Sequence, residues 1–566
     1  MATVYVNDKP VEIGNERLNC VQVAERADLL IPHYCYHPAL SVVASCRMCL
    51  VEMGELKDGK VMMAPKVFPG CQTPVKDGTV IVTGEYSKRD QTHPPLAYDA
   101  KYLPGDRAGK AQGDTLEGLL LNHPLDCPVC DKAGECKLQD YSFQFGRSET
   151  RLVDEKNRPD NKPELSSKIT LFTDRCIMCT RCVRFTREIS GTAELQVTSR
   201  GHHTEIDVFP GEPLENKLAG NVVDLCPVGA LGSKDFLYKQ RVWYLKSQDS
   251  VCPGCSTGCS IHVDNNKDVV FRLRPRPNPK AQGYFMCDEG RHGYHYVNSR
   301  DRINRTFVRR NGALTPESYE RTIAEVRDRF VEQVRSDPAL VWMILSPFLT
   351  VEEAFVAAKW LKKRSRLVNL AMGPVPIDGE DDTYPKDRRG RPISPATFTI
   401  RAEKCPNRRG VEEVLSQVQG EIVPFETVMS AIQSGEAKAV FVAGGYPGKL
   451  SLADIVHSTR DVYFAATALH MDSATYAADV LLPATTFAEK DGVYVNYAGL
   501  AQRLNPAVRL SGEIRSEGQM FSDLALRRGL FQAEAIRKEM AAEIEYFAPF
   551  AQQIPETGVA LGRTRR

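Results

Sequence analysis

Arg175–Gly191 reads RCIMCTRCVRFTREISG, and further along Asp224–Leu231 reads DLCPVGAL. The first stretch sets Cys176, Cys179 and Cys182 two residues apart, and the second places Cys226 directly before Pro227. Thiolates at this spacing wrap a short loop round one centre. The run C-x2-C-x2-C-x3-C-P is that of [4Fe–4S] proteins, whose last Cys serves the other cluster where two are present. The position due to hold that Cys is Thr186, and a Cys-Pro stands far downstream with no second triplet to serve. One cluster is therefore read as lost and one as kept, a single [4Fe–4S] on Cys176, Cys179, Cys182 and Cys226. This part of the sequence is expected to fold as a ferredoxin-like domain.

Working outward, three more sets of donors come into view. Toward the N-terminus, Cys35, Cys46 and Cys49 lie on one stretch and Cys71 follows later. The first gap is wider than in the C-x4-C-x2-C…C loop of plant-type [2Fe–2S] proteins, but three thiolates on a loop and a fourth from beyond it follow the same logic. A structural zinc site of four Cys is the alternative. Ser45 and Arg47 suit a loop whose backbone N–H groups point at sulfide. In NHPLDCPVCDKAGECKLQD, Asn122–Asp140, the three thiolates of Cys127, Cys130 and Cys136 need a fourth ligand, and His123 is the nearest donor. An ordinary surface or core histidine is the other reading. As a ligand, neutral imidazole in place of thiolate removes one negative charge, which raises the potential. The fourth set is Cys252, Cys255 and Cys259 with Cys287. The strand-like SIHVDNNKDVVFRLRP between them points to a cluster domain, with a zinc knuckle as the alternative.

The remaining cysteines are isolated. Of 17 in the sequence, Cys20 and Cys405 stand alone and are read as small buried hydrophobes. Clustered thiols with no secretory signal argue against a disulfide framework and for metal or iron–sulfur binding. Lys plus Arg total 73 and Asp plus Glu 72 in 566 residues, so no basic field exists to attract nucleic acid or anionic lipid. No apolar run approaches the roughly 20 residues that span a bilayer. The N-terminus MATVYVNDKPVEIG has no targeting pattern and favours a bacterial cytoplasmic protein.

For secondary structure, the first 85 residues predict a β-grasp domain: a hairpin turning at Asn7–Pro10, short alternating strands and a helix near Cys20–Leu30. The Gly- and Pro-containing stretch Pro94–Asp114 reads as a lead-in to a short helix at Leu116–Leu121. Beyond residue 300, helix and strand alternate as in an open α/β sheet. Thr315-Pro316-Glu317 reads as a helix start, with Tyr319, Ile323, Val326, Phe330 and Val334 at helical spacing behind it. Strand VWMIL (Val341–Leu345), a helix over Thr350–Lys363, and strands LVNLAM and AVFVAGG follow. Asp378–Pro392 reads as a solvated charged loop, and His202-His203 as loop. There is no GxGxxG fingerprint and no P-loop; AGGYPG at Ala443 is a weak fragment.

Taken together, NHPLDCPVCDKAGECKLQD, RCIMCTRCVRFTREISG and VVDLCPVGAL resemble the signature segments of the large iron–sulfur subunits, those of the G type, of bacterial respiratory NADH:quinone oxidoreductase, complex I. The fourth set is similar to the extra cluster site of some bacterial members. ADVLLPATTFAEKDGVYVN, Ala478–Asn496, resembles the molybdopterin-oxidoreductase fold, which this family carries in degenerate form. True molybdoenzymes continue with an acidic-Gly-Arg segment where this sequence has Ala498-Gly499-Leu500. The sequence also ends where a C-terminal pterin-binding barrel would begin.

The resemblance implies a multidomain α+β and α/β protein. Its parts are a β-grasp [2Fe–2S] domain at 1–85, a His/Cys3 [4Fe–4S] domain at 86–145 and a ferredoxin-like [4Fe–4S] domain at 146–245. A small [4Fe–4S] domain of molybdopterin-oxidoreductase type at 246–302 and a truncated, degenerate α/β domain at 303–566 complete it. It implies one [2Fe–2S] cluster, three [4Fe–4S] clusters and no molybdopterin. It further implies that hydride is taken by flavin on a partner subunit, and that single electrons enter at the Cys35 set, pass to the Cys176 set and leave through the His123 set toward a neighbouring iron–sulfur subunit and quinone. The Cys252 set is expected to lie off this route. No side chain serves as acid, base or nucleophile. The protein is expected on the cytoplasmic side of the inner membrane, held there through its complex, whose membrane subunits translocate ions. The competing readings are the catalytic chain of an NAD-linked molybdenum or tungsten formate dehydrogenase, an iron-only hydrogenase, and a zinc-stapled scaffold.

Overall fold

The computed structural model describes residues 2–447, 461–472 and 475–562, so Gly448 of the AGGYPG fragment lies outside the described residues. The polypeptide forms two units, Met1–Tyr244 with Pro385–Ile393, and Leu245–Tyr384 with Ser394–Arg566. Among the described residues no helix is long and apolar enough to cross a membrane.

The first unit opens on the predicted hairpin. Strands Thr3–Val6 and Lys9–Glu12 pair antiparallel through Asn7 and Asp8 at φ 46 and 70. Asn and Asp are the non-glycine residues that best tolerate this left-handed backbone. The sheet continues through Thr79–Val82, parallel to Thr3–Val6, and then Leu50–Lys57 and Lys60–Pro69. Helix Cys20–Arg26, capped by Asn19 accepting from Gln22 N–H at 3.0 Å, buries Val21, Val23 and Ala24 in one core with Val4, Val6 and Ile81. This is the expected β-grasp arrangement.

Two expectations fail here in instructive ways. The stretch read as a linker before a short helix is itself helical, Asp106–Leu120. Gly109 and Gly113 look like breakers, each costing about 1 kcal/mol in a helix. However, the helix crosses so close to Gly84 that a Cβ there would meet Gly109 Cα at 2.9 Å and run into Gln112 Oε1. Ala108 N–H donating to Glu52 at 3.1 Å and Gln112 Nε2 donating to Leu50 O at 3.1 Å pin the helix to the sheet. In the second unit, Thr315–Glu317 is not a helix start but part of strand Ala313–Glu317, and the helix begins after Ser318 as Tyr319–Ser336. Pro316 is tolerated because this strand is the sheet's edge, where a missing N–H leaves no ladder bond unmade. The helical spacing behind it holds: Tyr319, Ile323, Val326, Phe330 and Val334 are all buried.

The second unit centres on a seven-stranded sheet. Its parallel strands run in the order Asn369–Met372, Val341–Leu345, Ala439–Ala443, Tyr463–Ala468, Val480–Pro483, with Thr306–Arg310 and Ala313–Glu317 added antiparallel at one edge. VWMIL is buried throughout, as a strand covered on both faces must be. Val341, Met343 and Leu345 face one core with helix Val351–Lys362, while Trp342 and Ile344 face another with helix Phe425–Ser434. A capping box on Thr350 and Glu353 starts the Val351 helix where the sequence predicts it.

The charged loop Asp378–Pro392 divides between the units. Asp382–Tyr384 pairs with Phe398–Ile400 in the second unit. Lys386 N–H donates to Ile189 O at 3.0 Å in the first, and the loop is exposed at Asp378–Asp381 and again from Arg388 onward. His202 and His203 sit in an exposed turn, as read.

Candidate functional site

All 17 cysteines carry free thiols, and 16 of them fall into the four predicted sets or stand as Cys20 beside the first. Cys35, Cys46 and Cys49 lie on the irregular loop after helix Cys20–Arg26, and Cys71 follows strand Lys60–Pro69. The Cys35 thiol interacts with those of Cys46 and Cys71, and the Cys49 thiol with that of Cys71. Ala44 and Arg47 take left-handed backbone, φ 50 and 56, which turns the N–H groups of Ser45 and Cys46 onto the Cys35 sulfur. These donors and the two thiols hold Cys35 well below the usual thiol range, while Cys35, Cys49 and burial push Cys71 up. Cys20 is buried, its Sγ 3.5 Å from Thr73 O and 3.8 Å from Met53 Sδ, and burial raises its thiol to about 12.

The third set depends on a long-range approach, and the fold supplies it. Helix Arg181–Glu188 carries Cys182 in its first turn, and helix Asn221–Leu225 ends on Cys226. Arg181, next to Cys182, donates to Leu225 O, next to Cys226, at 3.3 Å, and Cys226 acts electrostatically on Cys176, Cys179 and Cys182. Met178 and Thr180 are left-handed, φ 50 and 57, and Met178 N–H points at Cys176 Sγ across 3.4 Å. Thr186, at the position the motif reserves for cysteine, is fully buried in the helix with its hydroxyl donating to Val183 O at 3.1 Å.

In the second set, Cys130 is electrostatically linked to Cys127 and Cys136. His123 is half-buried. Burial and the cations Lys156 and Arg175 depress its imidazole to about 4, and its Nδ1 is buried with no hydrogen-bond partner. Arg175 acts on Cys130 as well, so it is the shared neighbour of the imidazole and the thiols. Lys137 N–H donates to Pro227 O at 3.1 Å, joining the residue after Cys136 to the residue after Cys226. Gly229 completes this seam: a Cβ there would collide with Cys130 Sγ, so only glycine fits. Gly229→Ala is expected to displace Cys130 and lose iron from the second set while sparing the first; iron content and the count of paramagnetic centres check this.

The fourth set is built on a three-stranded meander, Lys246–Val251, Ser260–Asn266 and Val269–Pro275. Cys252 N–H donates to Cys259 O at 2.8 Å and Gly258 N–H to Cys255 O at 3.2 Å. Gly254 N–H points at Cys252 Sγ (3.5 Å) and Gly290 N–H at Cys287 Sγ (3.3 Å). A Cβ on Gly290 would stand 2.8 Å from Cys252 Sγ, which marks how tightly backbone and sulfur approach.

Burial lifts the thiols of Cys136 and Cys179 to about 11 and those of Cys176 and Cys287 to about 12. Thiols buried in company resist ionisation unless a metal centre takes them as thiolates, and then they ionise outright. Tyr34 Oη and the Nε atoms of Arg175, Arg181 and Arg184 are also buried without a hydrogen-bond partner, so acceptors are wanting beside these sets. Both features fit sulfide-rich anionic groups. Among the described residues no three or more His, Cys, Asp or Glu side chains are arranged to hold a single metal ion.

Where the strand order of the second unit reverses, between Val341–Leu345 and Ala439–Ala443, doubly wound folds bind ligands. Here Phe348, Tyr446 and Cys405 form a small buried core at that point, the two rings 5.2 Å apart and Tyr446 Oη donating to Pro374 O at 3.0 Å. Sequence reasoning missed Gly229, Arg175, Arg181 and Arg184. Two arginines three apart on a cysteine-bearing helix were the available signal for the last pair.

Five family models match the sequence. They are a 2Fe-2S iron-sulfur cluster binding domain at residues 1–86, the NADH-ubiquinone oxidoreductase-G iron-sulfur binding region at 112–151 and the ferredoxin-like domain of NADH-quinone oxidoreductase subunit 3 at 166–232. The molybdopterin oxidoreductase Fe4S4 domain follows at 245–299 and molybdopterin oxidoreductase at 411–527. The G subunit of NADH-quinone oxidoreductase from Rickettsia felis is 26% identical, covering 97% of this protein and 91% of that one. Its counterpart in Rickettsia conorii is 33% identical over 64% of this protein and 49% of that one. The mitochondrial NADH-ubiquinone oxidoreductase 78 kDa subunit of Neurospora crassa is 35% identical over 62% and 43%. The match thus spans about half the length of the last two relatives.

Proposed function

We propose that this protein, which belongs to the family of NADH-quinone oxidoreductase G subunits, relays single electrons from a flavin-bearing partner subunit toward quinone within a peripheral arm. In this reading Cys35, Cys46, Cys49 and Cys71 hold a [2Fe–2S] cluster. Three [4Fe–4S] clusters are held by His123 with Cys127, Cys130 and Cys136; by Cys176, Cys179, Cys182 and Cys226; and by Cys252, Cys255, Cys259 and Cys287. The observation that carries it is the hydrogen bond from Arg181, beside Cys182, to Leu225 O, beside Cys226, at 3.3 Å, which brings the distant Cys to the triplet across the intervening sequence. When bound, the clusters supply one-electron redox centres.

The protein's own residues do the rest. Thiolates grip the iron, and left-handed loops at Ala44, Arg47, Met178 and Thr180 aim backbone N–H groups at sulfur. Burial of Cys35, Cys49, Cys71, Cys179, Cys182 and Cys226 keeps water away. Imidazole in place of one thiolate leaves the second set one negative charge poorer, which favours its reduced state. The core of Phe348, Tyr446 and Cys405 supports reading the α/β region as a scaffold without pterin. The protein sits on the cytoplasmic side of the membrane, reached through its partners.

Low-temperature electron paramagnetic resonance on the dithionite-reduced protein, with iron, sulfide, zinc and molybdenum analysis, tests this. One two-iron and three four-iron centres are expected. Zinc without sulfide would overturn the reading, and stoichiometric molybdenum would move it to a formate dehydrogenase. His123→Cys should keep its cluster and lower that centre's potential; an unchanged potential would remove His123 from the ligand set.

A further inference from the structure

The helix Arg181–Glu188 presents two buried guanidinium groups, 5% and 6% exposed, where the first and third thiol sets meet. Arg184 Nη2 donates to the backbone oxygen of Cys35 at 2.5 Å and to that of Cys179 at 3.3 Å, and its Nη1 donates to Ser41 O at 2.6 Å. Arg181 donates to Tyr36 O, next to Cys35, and to Leu225 O, next to Cys226, the latter at 3.3 Å. Each arginine therefore holds one loop of each set at once. Their described hydrogen-bond acceptors are all backbone carbonyls. Glu188, on the same helix, is engaged instead by Ser41, which donates through N–H at 2.8 Å and Oγ at 2.5 Å.

A buried cation with no carboxylate is costly unless another anion neutralises it. The anionic groups that act on Arg181 are Cys179 and Cys226 from the third set and Cys35 from the first. The Nε of each arginine is buried and unpartnered, free to face sulfur. The positive charge is therefore shared between two anionic sites and is tied to both by hydrogen bonds.

We propose that Arg184, with Arg181 beside it, is the common countercharge and hydrogen-bonded bridge of the first and third sets, raising the reduction potential of both together. This rests on the assignment of clusters to those sets under Proposed function. The step it serves is a plain one-electron exchange: one site loses an electron as the other gains it, with no bond made and no proton moved. A fixed cation between the two sites favours the reduced form of each and screens the charge of one from the other. Arg184 is a positioning residue in this scheme, acting on the centres through field and backbone.

The test is potentiometric titration, followed by electron paramagnetic resonance, of the full-length protein in its complex carrying Arg184→Met. Both midpoints should fall, each reduction equilibrium weakening about tenfold, or 59 mV for one electron. Full iron and sulfide with either midpoint unmoved would overturn the proposal. Glu188→Ala, which frees the Ser41 loop but removes a negative charge, should not lower either midpoint. If Arg184→Met loses iron, Arg184→Lys and Arg184→Gln decide: the charged variant must hold both midpoints above the neutral one, and equal midpoints reject the inference. Absence of iron and sulfide from the unmodified protein would reject the cluster assignment itself, a separate outcome.

Discussion

Cys226→Ala should abolish the four-iron centre of the third set while leaving the two-iron centre of the first. Loss of an outer-shell partner typically weakens metal binding or activity roughly 10–100-fold. Removal of a ligand from the middle of a relay is expected to exceed that, cutting electron flow from NADH to quinone by more than about a hundredfold. Spectroscopy of the reduced complex and quinone-reductase turnover check the two halves of the result. A second substitution sharpens it. Restoring the motif's own cysteine, as Thr186→Cys on the Cys226→Ala background, should not rescue the centre, because residue 186 is packed inside the helix and hydrogen-bonded to Val183 O. Rescue would show that the short motif, and not the long-range approach of Cys226, builds this site.

Lys490→Met should be the most damaging single change in the second unit. Lys490 Nζ donates to Glu353 Oε2 at 2.8 Å and lies 3.4 Å from Glu517 Oε2, all three side chains 1% exposed. Thr350 N–H and Thr485 N–H satisfy the carboxylates further, at 2.9 and 3.2 Å. Removing the one cation strands two buried carboxylates, and breaking a buried pair in this way costs about 3–5 kcal/mol. The pH dependence carries the signature. Burial, with Glu353 nearby, raises the Glu517 carboxyl above its ordinary range. Stability from a carboxyl so raised is present below its unfolded value and lost as pH rises through the folded one. The deficit of the variant should therefore shrink toward acid pH, where Glu517 takes up a proton. Hydrogen exchange in strand Val341–Leu345 of the full-length protein, compared at two pH values, reads this directly. A deficit that grows on acidification contradicts it. Neutralising all three groups (Lys490→Met, Glu353→Gln, Glu517→Gln) should recover much of the loss.

What the sequence disclosed followed from how local each signal is. The CIMCTRC spacing and the Asn7–Asp8 turn are written within a few residues, and the alternating cores of VWMIL follow from a two-residue period. Cys226 could be matched to its triplet because a Cys-Pro without a partner triplet is an incomplete pattern. The misread elements were decided by neighbours distant in sequence. Gly109 signals a break until Gly84 is known to lie against it. Thr315-Pro316 signals a helix cap until its strand is known to be an edge. The guanidinium bridge joins residues 149 apart and the Lys490–Glu353 pair residues 137 apart, so no short window of sequence contains either. His123 was proposed from the deficit of a fourth ligand, and its buried, unpartnered Nδ1 is compatible with that proposal.

The short segment Pro385–Ile393 has a bearing on biogenesis. It belongs to the first unit although the polypeptide has by then built much of the second, so the backbone crosses between units at residues 244, 384 and 393. A ribosome must therefore translate past Ile393 before the N-terminal half can acquire all of its own residues. Those nine residues are made well after that half's last cysteine, Cys226, and a protease cutting once after Tyr244 would leave them on the other fragment.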